Sequence, residues 1–255
     1  MRALWSGGIS FGLIYIPVQL YTASRRNTLD FDLLRRKDMS RIGYAKFAKS
    51  DGKEVDSDEI VKGFEFRKDE YVIVEDEDFE KANVKKTNSI EIKSFTDIAE
   101  IDPRYFEKPY FIEPDPKAHK TYALLHHVLT ESKKVAVASY VLRDREHLAL
   151  VMPEKNHLIL EQIRFDEELL EPEELEFPAD QSFAKEEIDM AKELVDKMTK
   201  PFKPEEYKDT YTEELRSMIK EKALHKKVTA KGEKPKPTQI RDLMKSLKES
   251  LKATS

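Results

Sequence analysis

Residues 135–165 read VAVASYVLRDREHLALVMPEKNHLILEQIRF. Three runs rich in apolar and β-branched residues, VAVASYVLR, HLALVMP and HLILEQIRF, are separated by short polar turns. Runs of strand length at this spacing predict an antiparallel meander. Several short strands with few helices predict a barrel or sandwich core.

Towards the N-terminus, AHKTYALLHHVLTE (Ala118–Glu131) predicts an amphipathic helix with Ala118, Tyr122, Leu125, Val128 and Leu129 on one face. IDPRYFEKPYFIEPD holds three prolines and reads as turn and edge strand. SIEIKSF alternates Ile90, Ile92 and Phe95 with polar residues, as a half-buried strand does. A helical turn is expected over Glu75–Ala82, a hairpin over GFEFRKDEYVIV, and a short helix over Asp56–Lys62 capped by Asp56 and ended by Gly63. Residues 1–23 read as one or two buried strands, with Pro17 at an edge or bend and Trp5 in the core.

Beyond Asp166 the composition changes. Residues 166–216 carry eighteen acids against seven bases. Two helices are expected there, one presenting Ile188, Ala191, Leu194, Val195 and Met198, the other Tyr211, Leu215, Met218 and Ile219. HKKVTAKGEKPKP is a linker by its Lys, Gly and Pro content, and Thr238 caps a last helix with Ile240, Leu243, Met244, Leu247 and Leu251 at helical spacing. The expected organisation is a core over 1–165, including a basic arm at about 33–66, an acidic helical region over 166–225 and a basic tail over 226–255.

The 255 residues include no cysteine, which excludes disulfides, cysteine nucleophiles and thiolate metal sites and fits a reducing cytoplasm. Six histidines (His119, His126, His127, His147, His157, His225) show no metal-ligand spacing, so neither metal nor cofactor is expected. The apolar run Leu4–Tyr21 is broken by Ser6, Gly7, Gly8, Ser10, Gly12, Pro17 and Gln19, and no membrane span is expected.

The segment LRRKDMSRIGYAKFAKSDGK (Leu34–Lys53) carries seven basic residues against two acidic in a chain of net charge −5. Asp51-Gly52 is a hairpin signal, with RIGYAKFA and EV as flanking strands. Ile42, Tyr44 and Phe47 are too few for a strand with one face in a core, so the segment reads as an arm. Roughly ten extended residues would reach ~30 Å at ~3.3 Å each. Lys and Arg among aromatics, free of interleaved acids, suit phosphate contact. A second basic element is residues 223–255, nine bases against three acids. Lys49-Ser50-Asp51-Gly52 also matches the K-x-D-G motif of ATP-dependent nucleotidyltransferases, although their later Glu-Gly and Lys-x-Lys strands are absent. A general basic nucleic-acid-binding adaptor is a further alternative.

The opening MRALWSGGISFGLIYIPVQLY, then RKDMSRIGY, Lys62-Gly63-Phe64-Glu65, EIDPRYFEKPYFI, YALL and VLRDREHLALV resemble segments of the bacterial Ku family in order and spacing, over roughly Met1–Lys222. The resemblance implies an α+β protein with a mainly antiparallel β-barrel core, a projecting arm that forms a ring in the homodimer, and a helical C-terminal region. It implies no catalysis but binding of double-stranded DNA ends in non-homologous end joining, with recruitment and stimulation of an ATP-dependent DNA ligase. The expected location is cytoplasmic and nucleoid-associated. By the same likeness Arg35, Arg36, Lys37, Arg41, Lys46 and Lys49 would line the ring. Leu194, Leu215 and Ile219 are the expected ligase contacts, against the alternative that they pack the two helices together.

Overall fold

The computed structural model describes residues 1–25, 27–83, 88–143, 145–173, 175–178, 181–224 and 243–253. It divides into two compact units, Met1–Arg26 with Asp30–Glu171, and Asn27–Leu29 with Pro172–Ser255.

The first unit is built on a closed barrel of β1 (Trp5–Phe11), β2 (Ile14–Thr22), β5 (Ser89–Asp97), β6 (Phe106–Pro114), β7 (Lys134–Leu142), β8 (Arg145–Glu154) and β9 (His157–Ile163). The strand order is β1-β2-β6-β9-β8-β7-β5, antiparallel throughout except where β1 meets β5 in parallel and closes the barrel. The meander read from residues 135–165 is β7-β8-β9, registered from Ala136↔Val151 and Leu150↔Glu161. Ala149, Leu150 and Val151 are all fully buried, because Ala149 and Val151 face the barrel interior while Leu150 joins Val135 and Ile163 in a second cluster beneath Ile101, Tyr105 and Phe106. Burial on both faces gives a continuous apolar run rather than alternation. The interior is filled by Ile9, Ile16, Leu20, Ile90, Tyr140, Leu158 and Leu160, and the small Ala136 and Ala138 leave room for the large rings.

Closure depends on close backbone approach at β1. A Cβ on Gly7 would lie 2.2 Å from the Asn88 carbonyl oxygen and 2.3 Å from the Trp5 ring, so glycine is required there. The neighbouring Gly8 N–H donates to that same Asn88 carbonyl at 3.1 Å. Trp5 is half-buried rather than a full core residue, and packs edge-on against Tyr140 at 6.4 Å.

Several expectations are corrected. The stretch 101–115 is not turn and edge strand: after a short 3-10 turn at Pro103–Tyr105 it forms β6, paired on both sides. Of its two prolines, Pro109 is tolerated because its carbonyl accepts from Ala23 N–H at 3.3 Å, one step past the last β2–β6 pair, Thr22↔Tyr110. Carbonyl and nitrogen of one strand residue point to the same side, so the missing donor falls outside the ladder. Pro17 lies inside β2, opposite Gly8, by the same device: its carbonyl accepts from Asp115 N–H at 2.9 Å, and pairing with β6 starts only at Val18. The helix expected over Asp56–Lys62 is a single 3-10 turn, Ser57–Glu59, without a side-chain cap. Gly63 is not its left-handed terminator but a residue of β3 (Lys62–Arg67), opposite Ile73 in β4 (Glu70–Val74). A bulge between Ile92 and Ser94 interrupts β5, and Phe95 is exposed.

Following β4, α1 covers Asp76–Asn83. Helix α2 (His119–Ser132) buries Tyr122, Leu125 and Leu129, as its spacing demands, whereas Val128 is 49% exposed. The Tyr122 hydroxyl donates to the Ile112 carbonyl at 2.8 Å and accepts from Leu158 N–H at 2.7 Å, tying the helix to β6 and β9. Tyr122→Phe orphans both buried backbone groups and is expected to lower stability by about 1–3 kcal/mol. A urea midpoint equal to that of the parent protein would contradict this role.

The second unit contains α3 (Lys185–Met198), α4 (Thr210–Ala223) and α5 (Leu243–Ala253), with α5 packed against α3. The Asp209 side chain accepts from Thr212 N–H at 2.9 Å and caps α4. The expected linker over 225–237, the cap Thr238 and the apolar Ile240 lie outside the described residues.

Candidate nucleic-acid interface

Between β2 and β5 the chain leaves the barrel. Among the described residues from 24 to 83 none is buried. Too few apolar side chains are available in the first half of this segment to hold a sheet, and long strands do not form. Residues 33–55 instead make two successive turns, each fixed by backbone hydrogen bonds.

The first turn is closed by Ile42 N–H to the Leu33 carbonyl and Arg35 N–H to the Ser40 carbonyl, both at 2.8 Å. Met39 takes a left-handed conformation (φ 58°). Asp38 holds the turn from inside: its carboxylate accepts from the Arg35 guanidinium, from Ser40 N–H at 3.2 Å and from Ser40 Oγ at 2.8 Å. The Arg35 guanidinium first, then the Ser40 donors, lower the Asp38 pKa to about 2. Arg36 and Lys37 stand at the exposed tip.

The second turn contains the Asp-Gly pair and differs from the two-residue hairpin expected. A tight primed turn needs positive φ at both central residues. Here Gly52 alone has it, at 71°. Ala48 N–H bonds to the Lys53 carbonyl at 2.9 Å and Val55 N–H to the Lys46 carbonyl at 2.8 Å, enclosing a loop over residues 49–52. The Asp51 carboxylate accepts from Lys53 N–H at 3.1 Å and pairs with its ammonium at 3.6 Å. RIGYAKFA and EV therefore do not form strands, and only the isolated bridges Leu34↔Arg41 and Phe47↔Glu54 pair the chain. Lys49 of the K-x-D-G match stands exposed on this loop.

The six basic residues singled out in this arm fall into two groups. Arg35 is clamped by Asp38, and Arg41 pairs with Asp32 at 3.0 Å. Among the described residues Arg36, Lys37, Lys46 and Lys49 take part in no ion pair, and all four are exposed. Exposed cations on backbone-fixed turns, without neutralising carboxylates, can each release a condensed counterion at a phosphate.

The hairpin expected over GFEFRKDEYVIV is present, but the exposure of its apolar side chains on both faces was not anticipated from the sequence. β3 and β4 form a separate two-stranded sheet in which Phe64 pairs with Val72 on one face, 65% and 50% exposed, while Tyr71 and Ile73, 62% and 56% exposed, point to the other. An isolated two-stranded ribbon is marginal in water, and apolar side chains on both faces need cover. The consecutive YVI of residues 71–73, apolar in both phases of the strand period, was the available signal.

In the helical unit, Leu194 and Leu215 are half-buried and Ile219 is exposed. The apolar groove on α3 is lined instead by Phe183, Ile188, Ala191 and Val195. Phe183 precedes the helix, so helical spacing does not reveal it. No described helix is long and apolar enough to cross a membrane.

A closed β-barrel that sends out an exposed basic arm defines a barrel-and-arm protein, with its polar chemistry concentrated outside the barrel. The chain belongs to the Ku family: the Ku70/Ku80 beta-barrel domain matches residues 10–190. It is 45% identical to the non-homologous end joining protein Ku of Opitutus terrae, across all of this chain and 92% of that protein. Proteins of the same name from Pseudomonas aeruginosa and Archaeoglobus fulgidus are 38% and 39% identical, each over 99% of this chain and over 88% and 99% of their own lengths.

Proposed function

We propose that this chain acts in non-homologous end joining by binding double-stranded DNA ends, as a homodimer whose two arms close into a ring. The observation that carries the reading is the family match across barrel and arm together, at near full length to relatives named for that process. The basic turns fit such a role, because a broken end can carry any sequence and contacts must rest on phosphates and shape rather than base edges. Phosphate contacts alone would also hold internal sites. A ring adds a topological filter, because it can be entered only at an end. The binding role requires no metal, cofactor or catalytic residue, and in it Arg36, Lys37, Lys46 and Lys49 touch phosphate while Arg35 and Arg41 chiefly shape the turns.

The acidic helical unit is the surface for the ATP-dependent ligase, with Leu194, Leu215 and Ile219 as its first candidates. The functional division follows the boundaries expected from composition, 1–165, 166–225 and 226–255. Linear and covalently closed duplex of one sequence test the ring: the linear form should bind and the closed form should not, and equal binding would overturn it.

The basic tail is secondary in this reading. Deleting residues 226–255 removes nine basic side chains, from Lys226 to Lys252. End binding should survive with a modest loss of affinity and a shallower salt dependence, because a tethered cationic segment raises local concentration at the phosphates without defining the site. Loss of end binding at physiological salt on this deletion alone, measured by gel shift, would transfer the site from the arm to the tail.

A further inference from the structure

The barrel is closed, but one of its strands keeps a free edge. β5 pairs with β7 from Glu91↔Ser139 to Asp97↔Lys134, whereas β1 lies along its other side only from Ser89 to Glu91. Among the described residues no strand and no loop backbone bonds to that side from Lys93 to Asp97. Lys93, Ser94 and Phe95 are exposed, Phe95 to 50% although it stands opposite the fully buried Ala136. A free edge is a template for another strand, because alternate residues turn their N–H and C=O groups outward.

The run Lys93-Ser94-Phe95-Thr96-Asp97 is self-complementary. Antiparallel pairing with a second copy, centred on Phe95, sets Lys93 against Asp97, Ser94 against Thr96 and Phe95 against its own equivalent. Within one copy Lys93 pairs with Glu91 at 2.6 Å and Asp97 with Lys134 at 2.7 Å, so across such a contact Glu91, Lys93, Asp97 and Lys134 alternate in sign. Parallel pairing would set Lys93 against Lys93 and Asp97 against Asp97, and like charges directly opposite are destabilising. A lysine and a bulge, here between Ile92 and Ser94, ordinarily guard an edge against indiscriminate pairing. With Asp97 four residues on, the same lysine favours one partner in one register.

We infer that the β5 edge joins this chain to a copy of itself in a neighbouring ring, so that rings threaded on one duplex load cooperatively. The inference rests on the ring reading above and adds a contact between rings. A chain with two separate self-complementary surfaces, the arm and this edge, links one dimer to the next. Five residues a side fall far short of the roughly 20–30 a side in a stable interface, so free protein stays unlinked at low concentration. Rings on one duplex meet at an effective concentration of about millimolar, where a weak contact fills.

Full-length proteins with single thiols test the register, since the chain has no cysteine of its own. Opposed residues of an antiparallel pair hold their Cβ atoms about 4.5–5.5 Å apart, close to the spacing a disulfide needs. On a linear duplex long enough for two rings, Phe95→Cys should form a disulfide between copies under mild oxidation. Ser94→Cys and Thr96→Cys should do so with each other and not alone, and Leu13→Cys, fully exposed at the β1–β2 turn, should not. A duplex that holds one ring should give no Phe95→Cys disulfide, and protein without DNA should give it only at about millimolar concentration. Phe95→Lys should leave the first gel shift unchanged and weaken the second about tenfold, a factor that cross-strand pairs of this kind supply together. With two rings bound, absence of the Phe95→Cys disulfide overturns the edge contact and leaves the DNA reading intact. Equal yield on the one-ring duplex moves the contact inside the ring and overturns the link between rings. Absence of any gel shift overturns the DNA-end reading and cooperative loading with it, while the disulfide at millimolar protein still decides the edge pairing.

Discussion

Arg36→Glu combined with Lys37→Glu is expected to abolish binding of linear duplex at physiological salt while leaving the barrel folded. These side chains stand at the exposed tip of the first turn and enter none of its closing hydrogen bonds. In a homodimer the change reverses four charges at the phosphates. Each lost contact should flatten log K against log[salt] by about 0.9, so a slope shallower by roughly 3.6 is expected wherever residual binding can be measured. Arg35→Ala tests a different property. It releases Asp38 from its principal partner and loosens the turn, so a smaller loss of affinity should accompany greater protease sensitivity near residues 35–40. Normal end binding by the double variant, with unchanged circular dichroism, would exclude this turn from the DNA surface.

The second large effect is expected at the β3–β4 ribbon. Phe64→Glu with Val72→Glu places two carboxylates on one face of a sheet whose apolar side chains have no cover within the described chain. If a second copy covers that face, each large apolar side chain contributes about 1.5–3 kcal/mol on burial, and replacing both by charge should yield monomers. The ring then cannot close, and end binding should be lost although every basic residue of the arm remains. Sedimentation at micromolar concentration distinguishes the cases. A dimer that persists in the double variant assigns the subunit contact to another surface, and a monomer that still binds only linear duplex would remove the ring from the mechanism.

Local pattern determined a large part of this protein without its structure. Residues 135–165 specify the meander β7-β8-β9 because strand length, turn spacing and β-branched content act within a few residues of one another. The inner face of α2 follows from helical spacing at Tyr122, Leu125 and Leu129, and the arm declared itself by its charge. Tertiary structure decided the rest. Whether 101–115 was edge or interior depended on β2 and β9 approaching from distant parts of the chain, and the prolines are admitted only because the ladders end where they sit. Gly7 of β1 acquires its meaning from the Asn88 carbonyl, which sequence cannot place beside it. In the arm, the family resemblance singled out six basic residues as equivalents, but backbone geometry separated them: a carboxylate neutralises a guanidinium only when a turn brings Asp38 to Arg35 or Asp32 to Arg41. Charge is a property of residues, and its availability to a phosphate is a property of their arrangement.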